Sequence, residues 1–282
     1  MSKVRLQDVG SIYSAGKIFD IVECGICSVY YNTPPVSALQ LEDFYRSNYG
    51  YTSHHLVHNE KLSRARKLKR LSGLNWINAK VGEVGSGAGE FAEAIASEVQ
   101  SLDGCELDET SSKNINFHNV TIHTQTAETF LTQQSQSSFD IFVLSHSLEH
   151  MLDPKRILNL VHTSLKNDGS LLIVVPNRLA APRIFQKYWG YWQVPIHICH
   201  FDLKSLSSLL ESEKFLVHQV RYRRSDFMAL GSFIANLLGI KSNQAVPNNN
   251  TVNTLVRILS RIYSITYRFG KHDLIVVARK KP

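Results

Sequence analysis

The chain has 282 residues, of which 43% are hydrophobic and 20% charged, a composition typical of a folded globular protein. Its apolar stretches are shorter than the roughly 18 residues of a membrane-spanning helix. The N-terminus lacks the apolar core of a secretory signal, so we expect none. Four cysteines are too few for a disulfide framework, so we expect a cytoplasmic location.

The net charge of +7 is unevenly distributed along the chain. Residues 178–282 contain 16 Lys and Arg and 5 Asp and Glu, a balance of +11, which leaves −4 for the first 177 residues. This asymmetry suits anionic partners such as phosphorylated sugars, nucleic acid or acidic lipid. A solvated basic face without a specific partner explains it equally well.

Helix and strand patterns start after residues 1–55, which we predict to be irregular. Apolar residues at helical spacing predict a first helix over 57–72. Strand and helix patterns then alternate, and short apolar runs indicate buried strands. The predicted strands are 80–84, 102–107, 120–123, 139–145, 170–175, 215–222 and 274–278, and the further helices are 89–98, 157–165 and 203–212.

Strands that alternate with helices indicate a mostly parallel sheet with helices on both faces. Two segments interrupt the alternation: 178–200, rich in aromatic residues and histidine, and 226–269, with apolar helical patterns around a polar break. We expect them to form a lid over the carboxyl edge of the sheet, where open α/β folds bind ligands. The predicted domains are an N-terminal appendage (1–55), a core (56–225), and a helical lid insertion with the last core strand (226–282).

The strongest motif is a glycine-rich turn between a predicted strand and a predicted helix, with the sequence Val-Gly-Glu-Val-Gly-Ser-Gly-Ala-Gly at 81–89. Glycines let such a turn bend tightly and let a ligand approach the backbone. Glu106 follows Gly85 by 21 residues, at the end of the next predicted strand. A carboxylate there can accept hydrogen bonds from both hydroxyls of a ribose. Together these features predict a nucleoside cofactor.

The spacing of the glycines favours one class of cofactor. A dinucleotide site has the pattern Gly-x-Gly-x-x-Gly, whose third glycine packs the helix on the strand beside the pyrophosphate. In this chain Gly85, Gly87 and Gly89 follow Gly-x-Gly-x-Gly, and the acidic Glu83 stands two residues before them. A carboxylate suits the sulfonium and ammonium of S-adenosyl-L-methionine better than it suits a pyrophosphate. The motif therefore predicts S-adenosyl-L-methionine, with NAD as the outside alternative.

Several motifs in the correct order make the sequence resemble the class I S-adenosylmethionine-dependent methyltransferases, in the ubiquinone-methylase-like branch with a Leu-Glu-His signature. The resemblance spans roughly residues 60–225. It implies an α/β fold with a Rossmann-like, doubly wound, mostly parallel seven-stranded sheet. The matching motifs are 83–89, 104–108, 126–128, 139–140, 145–150, 153–154 and 165–177.

The resemblance also implies which residues hold the cofactor. In the loop that cradles the methionine part they are Glu83, Gly85, Ser86, Gly87 and Gly89, and at the ribose Glu106 with Leu107. Ala127 and Glu128 are implied to lie beside the adenine. The residues implied to line the site from the fourth strand are Ser145, His146 and Leu148. The family often has Asp at the position of Thr126, which is a departure next to the expected adenine contact.

The segment 188–201 provides the candidates for a catalytic base. It combines aromatic residues with a Pro-x-His-x-x-His-Phe run, and the same branch of the family has such a run over the transferable methyl group. Aromatic rings stack on the CH faces of sugars, and an imidazole can take a hydroxyl proton. We predict His197 and His200 as catalytic, with His150 as the third candidate. The alternatives are a packed lid with hydrogen-bonded histidines and, for His150, a capping or packing role.

Two short motifs point to metals, but we predict no metal ligand from either. Residues 146–150 match the inverted zinc-protease pattern His-x-x-Glu-His, yet they follow a buried strand directly. Cys24 and Cys27 could form half of a zinc site. Their segment resembles the second half of a zinc-ribbon appendage found before some sugar-modifying methyltransferases. No second Cys-x-x-Cys exists in the sequence, so we interpret the segment as a degenerate appendage.

The predicted function is O-methylation of a sugar, a polysaccharide-type acceptor or another small molecule by an S-adenosylmethionine-dependent methyltransferase. One alternative is a lipid or quinone acceptor at the membrane surface. Another is a non-catalytic protein that binds the cofactor. A nucleic acid is not expected, because the fourth strand ends in Ser-His-Ser rather than an Asn-Pro-Pro-Tyr type motif, and the sequence contains no recognisable RNA-binding module.

The apolar segment 225–240 bears on the partners and the location of the chain. It is followed by a series of basic residues, namely Arg257, Arg261, Arg268 and Lys271. Such a segment can cover the core, contact a second copy in a homodimer, or make peripheral contact with an anionic membrane. We therefore expect a cytoplasmic monomer or homodimer, with peripheral binding at the inner membrane surface as the second expectation.

Overall fold

The computed structural model describes residues 4–7, 18–25, 28–39, 41, 58–109, 115–180, 192–194, 196–223 and 272–281. Several expectations concern residues outside these ranges, among them the lid insertion up to residue 271, the apolar segment 225–240, Cys27 and the aromatic residues 188–191. Of the helices in the described ranges, none is long and apolar enough to cross a membrane.

Strands and helices alternate through most of the described ranges. The strands are β1 (Val4–Gln7), β2 (Ile18–Glu23), β3 (Tyr30–Thr33), β4 (Lys80–Val84), β5 (Ser101–Glu106), β6 (Val120–Thr124), β7 (Phe139–Ser145), β8 (Leu165–Pro176), β9 (Cys199–His200), β10 (Phe215–Arg223) and β11 (Asp273–Lys280). The helices are α1 (His58–Ser72), α2 (Glu90–Ile95), α3 (Ala127–Gln133), α4 (Pro154–Ser164) and α5 (Leu203–Ser212), and Leu148–His150 forms a 3₁₀ helix.

Seven of these strands form one sheet in the order β10-β11-β8-β7-β4-β5-β6. Within it, β4 pairs in parallel with both β5 and β7, β5 pairs in parallel with β6, and β7 pairs in parallel with β8. The chain therefore winds outward from the centre in both directions. The predicted α/β, Rossmann-like sheet of seven mostly parallel strands is confirmed.

Helices cover both faces of this sheet. The connections β4-α2-β5 and β7-α4-β8 run in opposite directions along the sheet, so right-handed crossovers place α2 and α4 on opposite faces. In agreement with two helical layers, α1 packs against α2, and α3 packs against α4. The predicted doubly wound arrangement is therefore present.

The central strands are buried on both faces, which explains their nearly continuous apolar sequences. Val81 on β4, Ile141 and Val143 on β7, and Leu172 and Val174 on β8 belong to one core cluster, and none of them is more than 4% exposed. Each such side chain contributes about 1.5–3 kcal/mol by its burial. This packed layer fixes the carboxyl ends of β4 and β7, which carry the candidate site.

A second sheet has the order β1-β2-β3-β9, with antiparallel neighbours throughout. The prediction that residues 1–55 are irregular is therefore wrong for β1, β2 and β3. The strand β9 has only two residues, and Tyr30 and Tyr31 pair with them. A two-residue strand carries no sequence periodicity, and 168 residues separate Asn32 on β3 from His200 on β9. A local pattern cannot show such a pairing.

Two further elements differ from the sequence prediction. Periodicity does not predict α3, because a helix of seven residues has too few turns to show it. The strand β8 begins at Leu165, five residues before the predicted start and inside the predicted end of α4. Leu165 pairs with Phe139 of β7, beyond an irregularity in the register. This tertiary pairing extends the strand through the Asn-Asp-Gly sequence that resembles a helix stop.

The chain divides into two compact units. The core unit comprises Glu42–Val175, Ser207–Arg221 and Ile275–Pro282, and the hairpin unit comprises Met1–Leu41, Pro176–Leu206 and Tyr222–Leu274. The glycine-rich loop and Glu106 belong to the core unit. His197 and His200 belong to the hairpin unit.

Candidate functional site

The glycine-rich loop of the core unit follows β4 and is held against β5. The N–H groups of Gly85 and Ser86 both donate to the carbonyl oxygen of Cys105, at 2.9 and 3.2 Å. Gly85 has a φ of +78°, and a Cβ at this position would lie 2.8 Å from the Cβ of Ser147. Only glycine combines this backbone conformation with this contact. The loop therefore turns directly beside the segment that follows β7.

Glu106 organises the hydrogen bonds of the loop. Its Oε2 accepts from the N–H of Gly87 at 2.8 Å, and its Oε1 accepts from the N–H groups of Leu107 and Asp108 at 2.7 and 3.0 Å. A carboxylate offers about four lone-pair positions, so these three donors leave room for a further one such as a ribose hydroxyl. The structure thus holds a preorganised carboxylate at the position where the sequence predicts one.

Glu83 on β4 is a buried acid beside this loop, with an exposed fraction of 2%. Burial raises the pKa of Glu83 to about 7; the nearby Ser86 hydroxyl offsets part of this increase, and Glu106 and Glu90 add to it. A carboxyl group in this condition is stabilised in its ionised form by any cation that approaches it. The site therefore suits a positively charged ligand.

Buried polar atoms without partners occur on β4, in the loop and in the segment after β7. The buried atoms without a hydrogen-bond partner among the described residues include four oxygens there: Glu83 Oε2, Ser86 Oγ, Ser147 Oγ and Glu149 Oε2. Leaving a buried polar atom unpaired costs about 1–3 kcal/mol, so native proteins rarely do so without a ligand or water. Carboxylates and hydroxyls of this kind fit the ammonium, carboxylate and hydroxyl groups of S-adenosyl-L-methionine.

The segment after β7 turns sharply at His146, which has a φ of +54°. Its N–H donates to the carbonyl oxygen of Val174 at 2.8 Å, and its Nδ1 lies 3.3 Å from Oε1 of Glu149. Ser145 and His146 are half-buried, whereas Leu148 is fully buried in the core. Of the three residues implied to line the cofactor at this strand end, two therefore present surface and Leu148 does not.

The implied adenine region begins at Thr126, which caps the N-terminus of α3. Its Oγ1 accepts from the N–H of Thr129 at 3.2 Å. Asp caps helices at least as well as Thr, so the departure from the family pattern preserves the local structure. Ala127 is buried and Glu128 is half-buried. Leu107, which directly follows Glu106, is 45% exposed and offers apolar surface next to the carboxylate.

His197 and His200 are both buried in the hairpin unit, and both bind Asn32 on β3. The Nδ2 of Asn32 donates to the carbonyl oxygen of His197 at 2.7 Å, and its Oδ1 lies 2.8 Å from Nε2 of His200. Trp192 packs edge-on against the His200 ring, with 4.9 Å between the centroids. Burial, with a smaller effect of Arg178, lowers the pKa of His200 to about 3. The imidazole is therefore neutral at neutral pH.

His150, the third candidate base, lies in the core unit. It is half-buried, and its N–H donates to the carbonyl oxygen of Ser147 at 3.1 Å. His197 and His200 both bind Asn32, and His150 is the last residue of the 3₁₀ helix Leu148–His150. The catalytic roles of these three histidines stay predictions.

The metal motifs can be placed only in part. The inverted zinc-protease pattern requires both histidines on one α-helix, but His146 precedes a 3₁₀ helix and His150 ends it. Cys24 is half-buried in the turn after β2, where its N–H donates to the carbonyl oxygen of Val29 at 2.8 Å. Cys27 lies outside the described residues. The expectation of no metal ligand stays a prediction.

Two residues around the candidate sites, Ser147 and Asn32, are not predicted as site residues, and Glu149 is predicted only to cap or pack. Ser147 and Glu149 are both buried and have oxygens without a hydrogen-bond partner. Polar residues directly after a buried strand are the sequence signal that could have found them. Asn32 binds both candidate histidines of the hairpin unit. Nothing in its local sequence, Tyr-Tyr-Asn-Thr-Pro-Pro, indicates this partnership across the chain.

Known proteins resemble this chain in sequence and in fold. A family model for a methyltransferase domain matches residues 56–220. The ubiquinone biosynthesis O-methyltransferase of Idiomarina loihiensis is 33% identical over 104 residues, which are 35% of this chain and 43% of that relative. The chain thus spans less than half the length of this curated relative.

Solved structures share the fold at low sequence identity. An S-adenosylmethionine-dependent methyltransferase from Archaeoglobus fulgidus has a TM-score of 0.55 at 20% identity, over 78% of this chain and 94% of that chain. The 1,6-didemethyltoxoflavin-N1-methyltransferase of Burkholderia thailandensis, solved with 1,6-didemethyltoxoflavin and S-adenosylhomocysteine, has a TM-score of 0.54 at 15% identity. That match covers 97% of this chain and 99% of the other.

The family match covers more than half of the 282 residues and includes β4 to β8, the glycine-rich loop and both buried acids. The unpaired buried oxygens and the raised pKa of Glu83 fit the cationic S-adenosyl-L-methionine as the cofactor. The chain therefore belongs to the class I S-adenosylmethionine-dependent methyltransferases.

Proposed function

We propose that the chain transfers a methyl group from S-adenosyl-L-methionine to an oxygen of a sugar, a polysaccharide-type acceptor or another small molecule. The observation that carries the proposal is the buried Glu83 beside the organised carboxylate of Glu106. Two acids of this kind suit a cationic nucleoside and would disfavour the negatively charged pyrophosphate of a dinucleotide. The choice of oxygen rests on the histidines.

When bound, S-adenosyl-L-methionine supplies a methyl group on a cationic sulfur, which an acceptor oxygen displaces in line. The chain provides the binding groups: Glu106 for the ribose, and Glu83 for the positive charge. Ser86 and Ser147 add hydroxyl groups that can donate or accept. Because the loop is already fixed by its bonds to Cys105 and Glu106, little ordering is left to be done when the cofactor binds.

A hydroxyl acceptor is a weak nucleophile at neutral pH unless a base removes its proton. A neutral imidazole is the side chain best suited to this role near pH 7. The proposed candidates are His197 and His200, with His150 as the third. His200 is neutral at physiological pH because its pKa lies at about 3. Its ring therefore offers a lone pair but is a weaker base than a free imidazole.

A lipid or quinone acceptor at the membrane surface is the second candidate. It is favoured by the partial similarity to a protein named for ubiquinone biosynthesis. The excess of Lys and Arg in residues 178–282 suits an anionic membrane surface as well as a phosphorylated sugar. With such an acceptor, the proposed location of the protein is the inner membrane surface. With a sugar acceptor, the proposed location is the cytoplasm.

The test is methyl transfer from radiolabelled S-adenosyl-L-methionine to a panel of acceptors. The panel contains nucleotide sugars, free monosaccharides and short-tailed quinols, and the Glu106→Ala variant is the negative control. Methylation of a sugar oxygen would support the first proposal, and methylation of a quinol would support the second. Labelling of nitrogen or of a sugar carbon would contradict the first proposal. Binding of S-adenosylhomocysteine without any turnover would favour the non-catalytic alternative.

A further inference from the structure

We infer that Asn32 is a positioning residue that fixes the tautomer of His200, so that Nδ1 is the ring nitrogen left to accept a proton. The inference deepens the proposed function and rests on it where it concerns catalysis. The tautomer itself can be tested without any acceptor. Asn32 lies outside residues 56–220, the part of the chain that the family model matches, so the family resemblance assigns it no role.

The orientation of the Asn32 amide follows from its partner at one end. The carbonyl oxygen of His197 lies 2.7 Å from one terminal atom of this amide. A carbonyl oxygen can only accept, so that terminal atom must be the NH₂ group. Rotating the amide by half a turn would place two oxygens against each other in a buried place. The amide oxygen, Oδ1, therefore faces the other way, towards His200.

The tautomer of His200 follows in turn. Oδ1 of Asn32 lies 2.8 Å from Nε2 of His200, and an amide oxygen only accepts. Nε2 must therefore carry the hydrogen. A neutral imidazole has one N–H group, so Nδ1 bears the lone pair. Burial and the charge of Arg178 keep the pKa of His200 at about 3, and the ring is neutral in the physiological range.

The surroundings hold Asn32 in this orientation. Its backbone N–H donates to the carbonyl oxygen of Ile198 at 3.3 Å, next to the pairing of Tyr30 with His200. The residue is only 4% exposed. The Arg178 guanidinium lies 3.6 Å from the centroid of the Tyr30 ring and forms an ion pair with Asp202. Asn32 thus sits in a packed segment whose neighbours are themselves fixed.

The chemical consequence is a base with one defined proton-accepting atom. In the proposed reaction, the hydroxyl proton of the acceptor moves to Nδ1. The oxygen keeps the O–H electron pair and forms the new bond to the methyl carbon, while the electrons of the C–S bond leave with the sulfur. A ring of the opposite tautomer would present an N–H group at this atom and could not accept the proton. Asn32 prevents that state.

The first measurement is a long-range ¹H–¹⁵N NMR spectrum of the histidine-labelled protein, with His200→Gln to assign the signals. We expect the Nε2–H tautomer for His200 in the unmodified chain and a mixture of tautomers in Asn32→Leu. In the same variant we expect kcat to fall about 10- to 100-fold, the size of loss found when a partner that orients a metal-binding imidazole is replaced. The dissociation constant for S-adenosylhomocysteine should stay unchanged.

Asn32→Asp tests the role without removing the acceptor. Its carboxylate still accepts from Nε2–H and, when ionised, adds a negative charge that favours the protonated ring. The bond to the carbonyl oxygen of His197 is lost in this variant. We expect the tautomer to persist and the acid limb of the kcat profile to move to higher pH. A purely structural Asn32 would lower the melting temperature in both variants and leave the pH profile where it is. Tyr30→Phe is the matched control. Tyr30 lies on β3, as Asn32 does, and the substitution removes its hydrogen bond to Glu23.

An Nδ1–H tautomer in the unmodified chain, or a normal tautomer and kcat in Asn32→Leu, would overturn the inference. If Asn32→Leu does not fold, the shift of the pH profile in Asn32→Asp decides. If the NMR result is as expected and His200→Gln turns over normally, the tautomer assignment stands and the proposed base is wrong. The two failures are therefore distinguishable.

Discussion

The buried oxygens around the cofactor loop and the amide of Asn32 in the hairpin unit differ in their hydrogen bonds. Around the loop, Glu83, Ser86 and Ser147 have oxygens without partners among the residues described, and the pKa of Glu83 is raised to about 7. In the hairpin unit, Asn32 connects His197 and His200 through both ends of its amide. The unpartnered oxygens around the loop leave positions for a charged ligand, whereas the amide of Asn32 has a partner at each end. This contrast separates a binding site from a prebuilt scaffold for an imidazole.

The largest effect expected from this comparison concerns turnover. Replacing His200 with Ala removes the proposed proton acceptor and should lower kcat by about 100-fold or more. The affinity for S-adenosylhomocysteine should not change, because the cofactor groups belong to the core unit. His118→Ala, at an exposed position, is the control. If both His200→Ala and His197→Ala are silent, His150 is the next candidate, and if it is also silent the enzyme works by positioning alone.

The second effect concerns cofactor affinity. Glu106→Ala removes the acceptor of three backbone N–H groups together with the proposed ribose contact. We expect the dissociation constant for S-adenosylhomocysteine to increase by about 10- to 150-fold, or about 1.5–3 kcal/mol. Calorimetry measures it, with the exposed Glu109→Ala as the control. An unchanged affinity would remove the cofactor role of Glu106, and tight binding of NAD would contradict the identity of the cofactor.

The third effect concerns stability in acid. The pKa of His200 is about 3 in the folded chain, compared with 6.5 for a free histidine. Below pH 6.5 the unfolded chain binds a proton that the folded chain does not, so stability is complete above pH 6.5 and falls as the pH decreases. From pH 7 to pH 5 this loss is about 2 kcal/mol. His200→Gln keeps a donor for Asn32 and should remove that part of the pH dependence in urea unfolding.

If the stability of His200→Gln depends on pH as steeply as that of the unmodified chain, or more steeply, the pKa of His200 is not lowered in the folded state. His162 and His272 also have lowered pKa values, mainly through burial. These two histidines affect the pH dependence of stability equally in the unmodified chain and in His200→Gln. Only the difference between the two stability curves therefore reports on His200.

The smallest effect concerns the pH dependence of cofactor binding. Without ligand, the pKa of Glu83 is about 7. A cationic cofactor stabilises the ionised carboxylate, so the pKa falls on binding and a proton is released below pH 7. Affinity should therefore increase by about fivefold from pH 6 to pH 7 and then level off. Calorimetry in buffers of different ionisation enthalpy detects the proton, and Glu83→Gln should bind without it. A proton uptake would contradict this account.

Much of the core unit can be predicted from the sequence because its signals are local. The strand 139–145 and the helix 203–212 have the predicted bounds in the structure. The glycine-rich loop can be predicted from its residue types. Gly85 has a positive φ and lies so close to Ser147 that a side chain would not fit. Glu106 follows from its spacing to that turn.

The hairpin unit is less predictable because its contacts join distant residues. The strand β2 has the sequence Ile-Phe-Asp-Ile-Val-Glu, which does not alternate between apolar and polar residues. The strand β9 has two residues and is a strand only because β3 pairs with it. Asn32 looks like an ordinary loop residue before two prolines. Its role depends on a partner that follows 168 residues later. The start of β8 at Leu165 is another such case, because only the pairing with Phe139 reveals it.

The pairing of β3 with β9 also sets an order of events during synthesis. The first strands of the core unit can pair soon after they are made, since β4 and β5 are neighbours in the chain. The strands β1, β2 and β3 are synthesised earlier, yet β3 gains its second partner, β9, only when residues 199–200 have left the ribosome. Closing so long a loop costs entropy and slows formation of the contact. We therefore expect the region that is made first to be completed late, after most of the core strands have been synthesised.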